Sequence, residues 1–228
     1  KKEKIDFCLV GEPTCVKNLG DMIKNGRRGS ITGHLIVSGV QGHVAYPNRA
    51  NNPAPAIIKI LNQITNMKLD RGSKNFQASN LEIVKMNIKN NADNVIPSDA
   101  SATFNIRFSD KHSSSSLKKK LNNVFKKICK KSKCSYKISY YVQGESFLTK
   151  PNKTTKMIQD TIKKITRIKP KLSTTGGTSD ARFIREICPV IEFGLVGDTM
   201  HSVDERVAIS QIKELKSVYK QFLVEYFE

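Results

Sequence analysis

Three side chains that could do chemistry, Glu12, His43 and His201, lie in loops close to glycines. Glu12 follows an apolar run, and His201 follows a second apolar run at 189–194. In α/β sheets, sites collect in the loops at the carboxyl ends of strands. A carboxylate and an imidazole delivered from two such loops could share a metal ion, although each residue alone is also consistent with an ordinary exposed loop.

A second group of residues could bind anions. The loop T-T-G-G-T-S-D at 174–180 offers backbone N–H groups to an anion, although it is also consistent with a tight turn. Arg27, Arg28 and Arg107 could each hold a carboxylate through two parallel hydrogen bonds. Arg107 could equally point into solvent from its strand.

The elements that must position these residues follow from hydrophobic periodicity. Between residues 30 and 143 the pattern predicts the order β-α-β-β-α-β, which is typical of a ferredoxin-like fold with both helices on one face of an antiparallel sheet. The predicted strands are 30–37, 76–88, 100–108 and 136–142, and the predicted helices begin near 52 and 113.

The flanking residues show a different pattern, in which strands and helices alternate. An apolar strand precedes residue 30, and patterns of a helix, a strand and a helix follow residue 146. This alternation predicts an α/β domain with parallel strands. The sequence therefore predicts two domains. One consists of residues 1–28 and 145–228, and the other, 29–144, is inserted into it.

The charge balance is strongly basic. The 228 residues contain 39 basic and 20 acidic side chains, a net charge of +19. Such an excess can indicate nucleic-acid binding, but most of it is lysine, whereas nucleic-acid recognition relies more on arginine. Ten lysines lie within 111–137, mostly on the polar side of the second predicted helix. We interpret them as a solvated face, with a nucleic-acid patch as the alternative, and expect no nucleic-acid partner.

The cysteines and the apolar runs bear on the cellular compartment. The five cysteines are an odd number and include no C-x-x-C pair, which argues against a zinc knuckle or a thioredoxin-like motif. We interpret them as reduced thiols in the cytosol. No apolar run approaches the ~20 residues of a membrane span, so we expect no membrane partner. The first residues, K-K-E-K, do not resemble a signal peptide.

Several strings occur in order and together resemble the M20 family of dinuclear zinc amidohydrolases. They are V-G-E-P-T at 10–14, K-N-G-R-R-G-S at 24–30, Q-G-H-V-A-Y-P at 41–47, N-V-I-P at 94–97, N-I-R-F-S at 105–109, L-S-T-T-G-G-T-S-D at 172–180, T-M-H at 199–201 and D-E at 204–205. The resemblance covers nearly the whole chain. Its G-R-R-G-S and S-T-T-G-G-T-S-D strings are more typical of members that remove a succinyl group from diaminopimelate than of the family at large.

The resemblance implies a zinc-bearing α/β catalytic domain interrupted by an inserted lid domain through which two copies form a homodimer. Glu12 then resembles a ligand of one zinc ion and His201 a ligand of the other, with cobalt as a possible substitute. His43 resembles a lid histidine that reaches into the partner subunit's site and polarises the scissile carbonyl. The positions that match substrate-binding residues are Arg27, Ser30, Tyr46, Asn94, Arg107, Gly177 and Thr178.

The implied activity is zinc-dependent hydrolysis of N-succinyl-LL-2,6-diaminopimelate to succinate and LL-2,6-diaminopimelate, on the route to lysine and peptidoglycan in a bacterial cytoplasm. A related M20 deacylase, such as an acetylornithine deacetylase, stays an alternative. So does a non-catalytic dimerisation or basic binding module, while an M20 dipeptidase fits the strings less well. Family members carry an upstream H-x-D motif, a bridging aspartate and a Glu-Glu pair, none of which precedes Glu12 here. We therefore expect a C-terminal portion of the enzyme that is inactive by itself.

Overall fold

The computed structural model describes residues 3–88 and 90–228, so that Lys1 and Lys2, which open the first predicted domain segment, lie outside the described residues. The strands are β1 Cys8–Val10, β2 Met22–Lys24, β3 Gly26–Arg27, β4 Gly29–Ser38, β5 Gly42–His43, β6 Asn80–Asn87, β7 Val95–Ile96, β8 Asp99–Phe108, β9 Ser135–Gly144, β10 Phe147–Leu148, β11 Lys171–Ser173 and β12 Val190–Glu192. The helices are α1 Ala54–Thr65, α2 Ser114–Lys131, α3 Lys153–Thr166, α4 Ala181–Ile184 and α5 Ile209–Phe227.

The chain forms two compact units. Unit 1 consists of Lys1–Arg28 and Phe147–Glu228, and unit 2 is Gly29–Ser146. The predicted end of the inserted domain, at residue 144, precedes the observed division by two residues. No helix among the described residues has both the length and the apolar character needed to cross a bilayer.

Unit 2 is a four-stranded antiparallel sheet with two helices packed against it. The strand order is β6-β8-β4-β9, and this confirms the predicted β-α-β-β-α-β fold. Alternate residues of β4, such as Leu35 and Val37, point into a core that also contains Phe104 of β8 and the buried faces of α1 and α2. Helix α2 begins at the N-cap Ser113, whose hydroxyl accepts the backbone N–H of Ser116, and the hydroxyl of Ser116 accepts from Ser113 in return.

Two glycines of β4 are covered by aromatic rings of β8. Gly29 lies opposite Phe108, and Gly33 lies opposite Phe104, in the same antiparallel register. A Cβ atom at either glycine would overlap the facing ring. Each phenylalanine therefore occupies space that only glycine leaves free, and the two pairs fix how β4 and β8 pack.

Unit 1 contains a four-stranded mixed sheet in the order β1-β12-β2-β11. Strand β1 is parallel to β12, and β11 is parallel to β2. The expectation of parallel strands throughout was wrong, because β12 and β2 are antiparallel and meet at one residue pair, Glu192 and Lys24. The two parallel pairs thus meet at the carboxyl ends of their inner strands. This end of the sheet holds most of the polar groups described below.

Helices α3 and α5 pack together in unit 1, and they cover a core that contains Ile23, Ile191 and Phe193. The strand pair β3–β10 joins Arg27 to Phe147, so that the two segments of unit 1 are hydrogen-bonded to each other. The sequence analysis did not predict β2, β3 or β10. Each has only two or three residues, which is too short for a hydrophobic period to show.

Candidate active site

Glu12 and His201 lie in loops at the carboxyl ends of neighbouring strands. Glu12 follows β1, and the loop that carries His201 follows β12, to which β1 is paired in parallel. The two loops lie side by side, because a Cβ atom on Gly194 would meet the backbone carbonyl of Glu12, and the N–H of Gly197 donates to the carbonyl of Cys15 over 3.2 Å. Glu12 is half-buried and His201 is exposed.

The backbone of His201 has a left-handed conformation, with φ of +63°. This conformation is uncommon for residues other than glycine, and it is found disproportionately at functional sites. The loop is closed by Thr199, whose hydroxyl accepts the N–H of Arg206 over 3.0 Å and donates to its carbonyl over 2.9 Å. The carboxylate of Glu205 accepts the backbone N–H of His201 over 3.3 Å, which leaves the imidazole unused by these contacts.

These donors do not make a metal site by themselves. A carboxylate and an imidazole are both ligands that zinc accepts, but zinc sites in proteins have about four ligands. Within residues 3–88 and 90–228, no three His, Cys, Asp or Glu side chains are grouped closely enough to hold a metal ion. Among the described residues, Glu12 and His201 alone fall short of the ligands that a complete zinc site needs.

Arg27 forms a buried ion pair with Glu192. Nε of Arg27 donates to both oxygens of the carboxylate over 3.0 and 3.1 Å, and Nη2 contacts Oε2. Only 7% of Arg27 and 1% of Glu192 are exposed, so this pair is shielded from solvent. The guanidinium of Arg27 is thus already paired with a carboxylate of the protein.

The Gly/Thr loop that follows β11 is attached to this ion pair. Nη1 of Arg27 donates to the carbonyl of Thr175 over 3.2 Å, and the hydroxyl of Ser179 donates to Oε1 of Glu192 over 2.5 Å. Between these two points lie Gly176, with φ of +98°, and Gly177, which has no atom within 4 Å of a Cβ added to it. Gly177 and Thr178, two predicted substrate-binding residues, are accordingly at the open part of the loop.

Lys24 is a second buried cation beside this loop. Its ammonium donates to Oγ1 of Thr175 over 2.7 Å and lies 3.4 Å from Oγ of Ser173. Burial, and secondly the charge of Arg27, lower the pKa of Lys24 to about 8. Two cations and one carboxylate leave one net positive charge here when Lys24 is protonated, which suits an anionic ligand.

In unit 2, the structure brings together His43, Tyr46 and Asn94. Strands β5 and β7 pair His43 with Val95, and the N–H of Val44 donates to the carbonyl of Asn94 over 3.0 Å. The rings of His43 and Tyr46 lie 5.7 Å apart, and all three predicted residues are exposed. The backbone N–H of Ala45 donates to Nδ1 of His43 over 3.1 Å.

Ser30 and Arg107 are cross-strand partners in the sheet of unit 2. Ser30 is fully buried, and its hydroxyl accepts from Nδ2 of Asn105 over 3.3 Å. Arg107 is half-buried on the same face. The structure thus places the predicted residues of unit 2 in two groups, one on the strands and one around His43.

Sequence reasoning missed Lys24, Glu192 and Ser179 as members of the buried polar cluster. The available signal was a charged residue inside an apolar strand, since Glu192 lies in the run P-V-I-E-F. A charge in such a strand must be paired when it is buried. The partner could not be inferred, because Arg27 is 165 residues away in the sequence.

The lysines of α2 lie on its solvent side. Six of them, at 119, 120, 126, 127, 130 and 131, are exposed, whereas the apolar residues of the helix are buried in the core. This placement is the one expected of a solvated face.

Comparison with known proteins gives close relatives. Residues 25–133 match the M20 family model of the peptidase dimerisation domain. The chain is 66% identical over 227 residues to succinyl-diaminopimelate desuccinylase of Pelagibacter ubique, a match to 100% of this chain and 59% of that protein. It is 50% identical over 222 residues to the protein of the same name from Rickettsia bellii, a match to 97% of this chain and 57% of that protein.

Solved structures show the same fold at low sequence identity. A tripeptidase from Staphylococcus aureus superposes with a TM-score of 0.80 at 17% identity, covering 96% of this chain and 57% of that chain. The aminopeptidase PepT from Bacillus cereus gives a TM-score of 0.78 at 15% identity, with 94% and 56% covered. The chain spans about three fifths of the length of the curated relatives it matches. The chain therefore contains an M20 peptidase dimerisation domain and is similar over its whole length to succinyl-diaminopimelate desuccinylases.

Proposed function

We propose that the protein to which these residues belong hydrolyses the succinyl amide of N-succinyl-LL-2,6-diaminopimelate and releases succinate and LL-2,6-diaminopimelate. The observation that carries the proposal is the 66% identity to a desuccinylase over the whole chain. The buried cluster of Lys24, Arg27 and Glu192 supports it, because one net positive charge beside an open Gly/Thr loop suits a substrate that carries carboxylates.

The proposed cofactor is zinc, two ions per subunit, with Glu12 and His201 as the contribution of this chain. Two donors fill only part of two coordination shells, so the remaining ligands and the general base come from residues outside these 228. By the same argument, we propose that the 228 residues alone do not catalyse the reaction. We also propose that the enzyme acts in the cytoplasm, in lysine and diaminopimelate biosynthesis.

The proposed role of His43 is to donate a hydrogen bond from Nε2 to the carbonyl oxygen of the amide, where negative charge develops during attack. It would act in the site of the partner subunit of a homodimer formed through unit 2, which includes most of the matched dimerisation domain. Tyr46, Asn94, Ser30, Arg107, Gly177 and Thr178 stay the proposed substrate-binding residues. For Arg27 we propose an indirect role, because its guanidinium is already paired with Glu192.

The test is amide hydrolysis by the complete reading frame, purified with zinc and offered N-succinyl-diaminopimelate beside N-acetylornithine. We expect turnover of the succinyl amide only, and at least a hundredfold loss in His201→Ala. His34→Ala is the matched control, since His34 is an exposed histidine that is not one of the predicted site residues and whose Nδ1 lies 3.1 Å from Oγ1 of Thr103. Preference for N-acetylornithine would replace the proposal with a related deacylase, and no turnover of either amide would refute it.

A further inference from the structure

Both ends of the Gly/Thr loop are tied to one buried ion pair. At its start, the carbonyl of Thr175 accepts from Nη1 of Arg27, and at its end the hydroxyl of Ser179 donates to Oε1 of Glu192 over 2.5 Å. Arg27 and Glu192 are in turn bonded to each other through Nε and Nη2. The loop and the ion pair therefore form a closed ring of polar contacts, which we call the loop clamp (Arg27, Thr175, Ser179 and Glu192).

The middle of the loop has little else to hold it. Gly176 and Gly177 are exposed, and Gly177 has open space on the side where a side chain would lie. Gly176 has a positive φ, and a Cβ atom on it would stand 2.6 Å from Nη1 of Arg27. Since apolar packing does not fix these two glycines, their conformation depends on the contacts at the two ends of the loop.

Stability alone does not explain why the ion pair is there. Removing both charges from water carries a large desolvation cost, and a buried ion pair is often no more stabilising than a pair of well-packed apolar residues. What the pair provides, and apolar residues would not, is a donor aimed at the carbonyl of Thr175 and an acceptor for the hydroxyl of Ser179. The ion pair is therefore suited to fix the positions of Thr175 and Ser179.

We infer that Glu192 is a positioning residue, which acts through Arg27 and Ser179 to hold Gly177 and Thr178 in the conformation that binds substrate. The expected effect on catalysis rests on the proposed function. The expected ordering of the loop by Glu192 does not depend on that function. Glu192 itself touches no substrate in this account. Its loss loosens the loop, and we therefore expect weaker substrate binding with a smaller effect on the chemical step.

The variants that test this are Glu192→Gln and Ser179→Ala, with Glu225→Gln as the matched control. Glu225 on α5 also accepts a hydroxyl, that of Thr161 over 2.5 Å, and pairs with a lysine, Lys164, but it does not contact the loop. Ser179→Ala removes one end of the loop clamp and leaves the ion pair intact. It serves as the second variant where Glu192→Gln fails to fold.

Two measurements are made on each variant. In the zinc-loaded complete protein, we expect Glu192→Gln to raise KM for N-succinyl-diaminopimelate at least tenfold while kcat falls less than threefold. Ser179→Ala should change both parameters in the same direction. Glu225→Gln should keep the wild-type values of KM and kcat. In the 228-residue chain, we expect the 15N NMR order parameters of residues 176–178 to fall below about 0.6 in the first two variants only, because the loop then moves on the ps–ns timescale.

The outcomes separate the two proposals. Lower order parameters at 176–178 in the two variants support the loop clamp. If the wild-type protein then hydrolyses neither amide, only the proposed function is refuted. Unchanged order parameters at 176–178 in Ser179→Ala and Glu192→Gln overturn the loop clamp. An equal loss of kcat and kcat/KM with KM unchanged also overturns it, since a group needed only in the chemical step behaves in that way.

Discussion

The backbone N–H of Ala45 donates to Nδ1 of His43, two residues earlier in the chain, over 3.1 Å. An imidazole nitrogen that accepts a hydrogen bond carries no proton, so the proton of neutral His43 must be on Nε2. The contact therefore presets His43 as a donor at Nε2, which is the atom the proposed mechanism requires.

We predict that 15N NMR of the chain shows His43 as the Nε2–H tautomer, whereas His43 with a proton on Nδ1 would contradict the role proposed for it. In the complete protein we expect His43→Ala to lower kcat by about 10²–10³-fold, the usual loss when one donor to a developing oxyanion is removed. His34→Ala, again the control, should leave kcat unchanged.

The stability of the chain should depend on the ionisation of Lys24. Its pKa is lowered from 10.5 to about 8 in the folded state, so between these values the unfolded chain binds more protons than the folded chain. The free energy of unfolding therefore gains a contribution as pH rises from 8 towards 10.5, up to about 3 kcal/mol, and loses it as pH falls through 8.

Urea unfolding of wild type and Lys24→Met at several pH values between 7 and 10.5 measures this contribution. The tyrosines and cysteines with raised pKa values act in the opposite direction at alkaline pH but are common to both proteins. We expect the stability of wild type relative to Lys24→Met to increase with pH. If the difference in stability between wild type and Lys24→Met does not change with pH, the lowered pKa of Lys24 is refuted.

The glycines at 33 and 177 should respond differently to the same substitution. Gly33→Ala forces a Cβ atom into the ring of Phe104, and we expect it to lower the free energy of unfolding by about 1–3 kcal/mol. Gly177→Ala meets open space, so stability should change by less than about 0.5 kcal/mol while KM rises. Thermal unfolding of both variants, with KM of the second in the complete protein, decides the prediction.

The free thiols should react in the order of their exposure. Burial, and secondly the charge of Cys134, raise the pKa of Cys129 to about 11, and burial raises that of Cys15. Both cysteines are buried, whereas Cys8 and Cys134 are half-buried. At pH 8 we expect iodoacetamide to label Cys8 and Cys134 first, and all five cysteines only after unfolding in urea. Early labelling of Cys129, read by mass spectrometry, would contradict this order.

The fold of unit 2 could be predicted because its elements are long and amphipathic. Strands β4 and β8 each have ten residues, and alternate side chains are buried along both. The contacts of Arg27 could not be predicted in the same way, since its three partners, Glu192, Thr175 and Phe147, lie 120 or more residues away. A local sequence pattern identifies an arginine that could bind an anion. It does not show that a carboxylate of the protein is already paired with that arginine.

Pairing between Ser30 and Gly144 at the ends of β4 and β9 has a consequence for the order of folding. The segments of unit 1 are separated along the chain by all of unit 2, and closing so long a loop costs about 4 kcal/mol of chain entropy. When unit 2 folds, its first and last strands bring residues 30 and 144 together. Most of the entropy cost of joining the two segments of unit 1 is then already covered by the folding of unit 2. Strands β3 and β10, which pair Arg27 with Phe147, then meet as neighbours. The second segment of unit 1, Phe147–Glu228, follows unit 2 in the chain, so during synthesis unit 2 is complete before that segment emerges. We therefore expect the folded inserted unit to bring the two segments of unit 1 together.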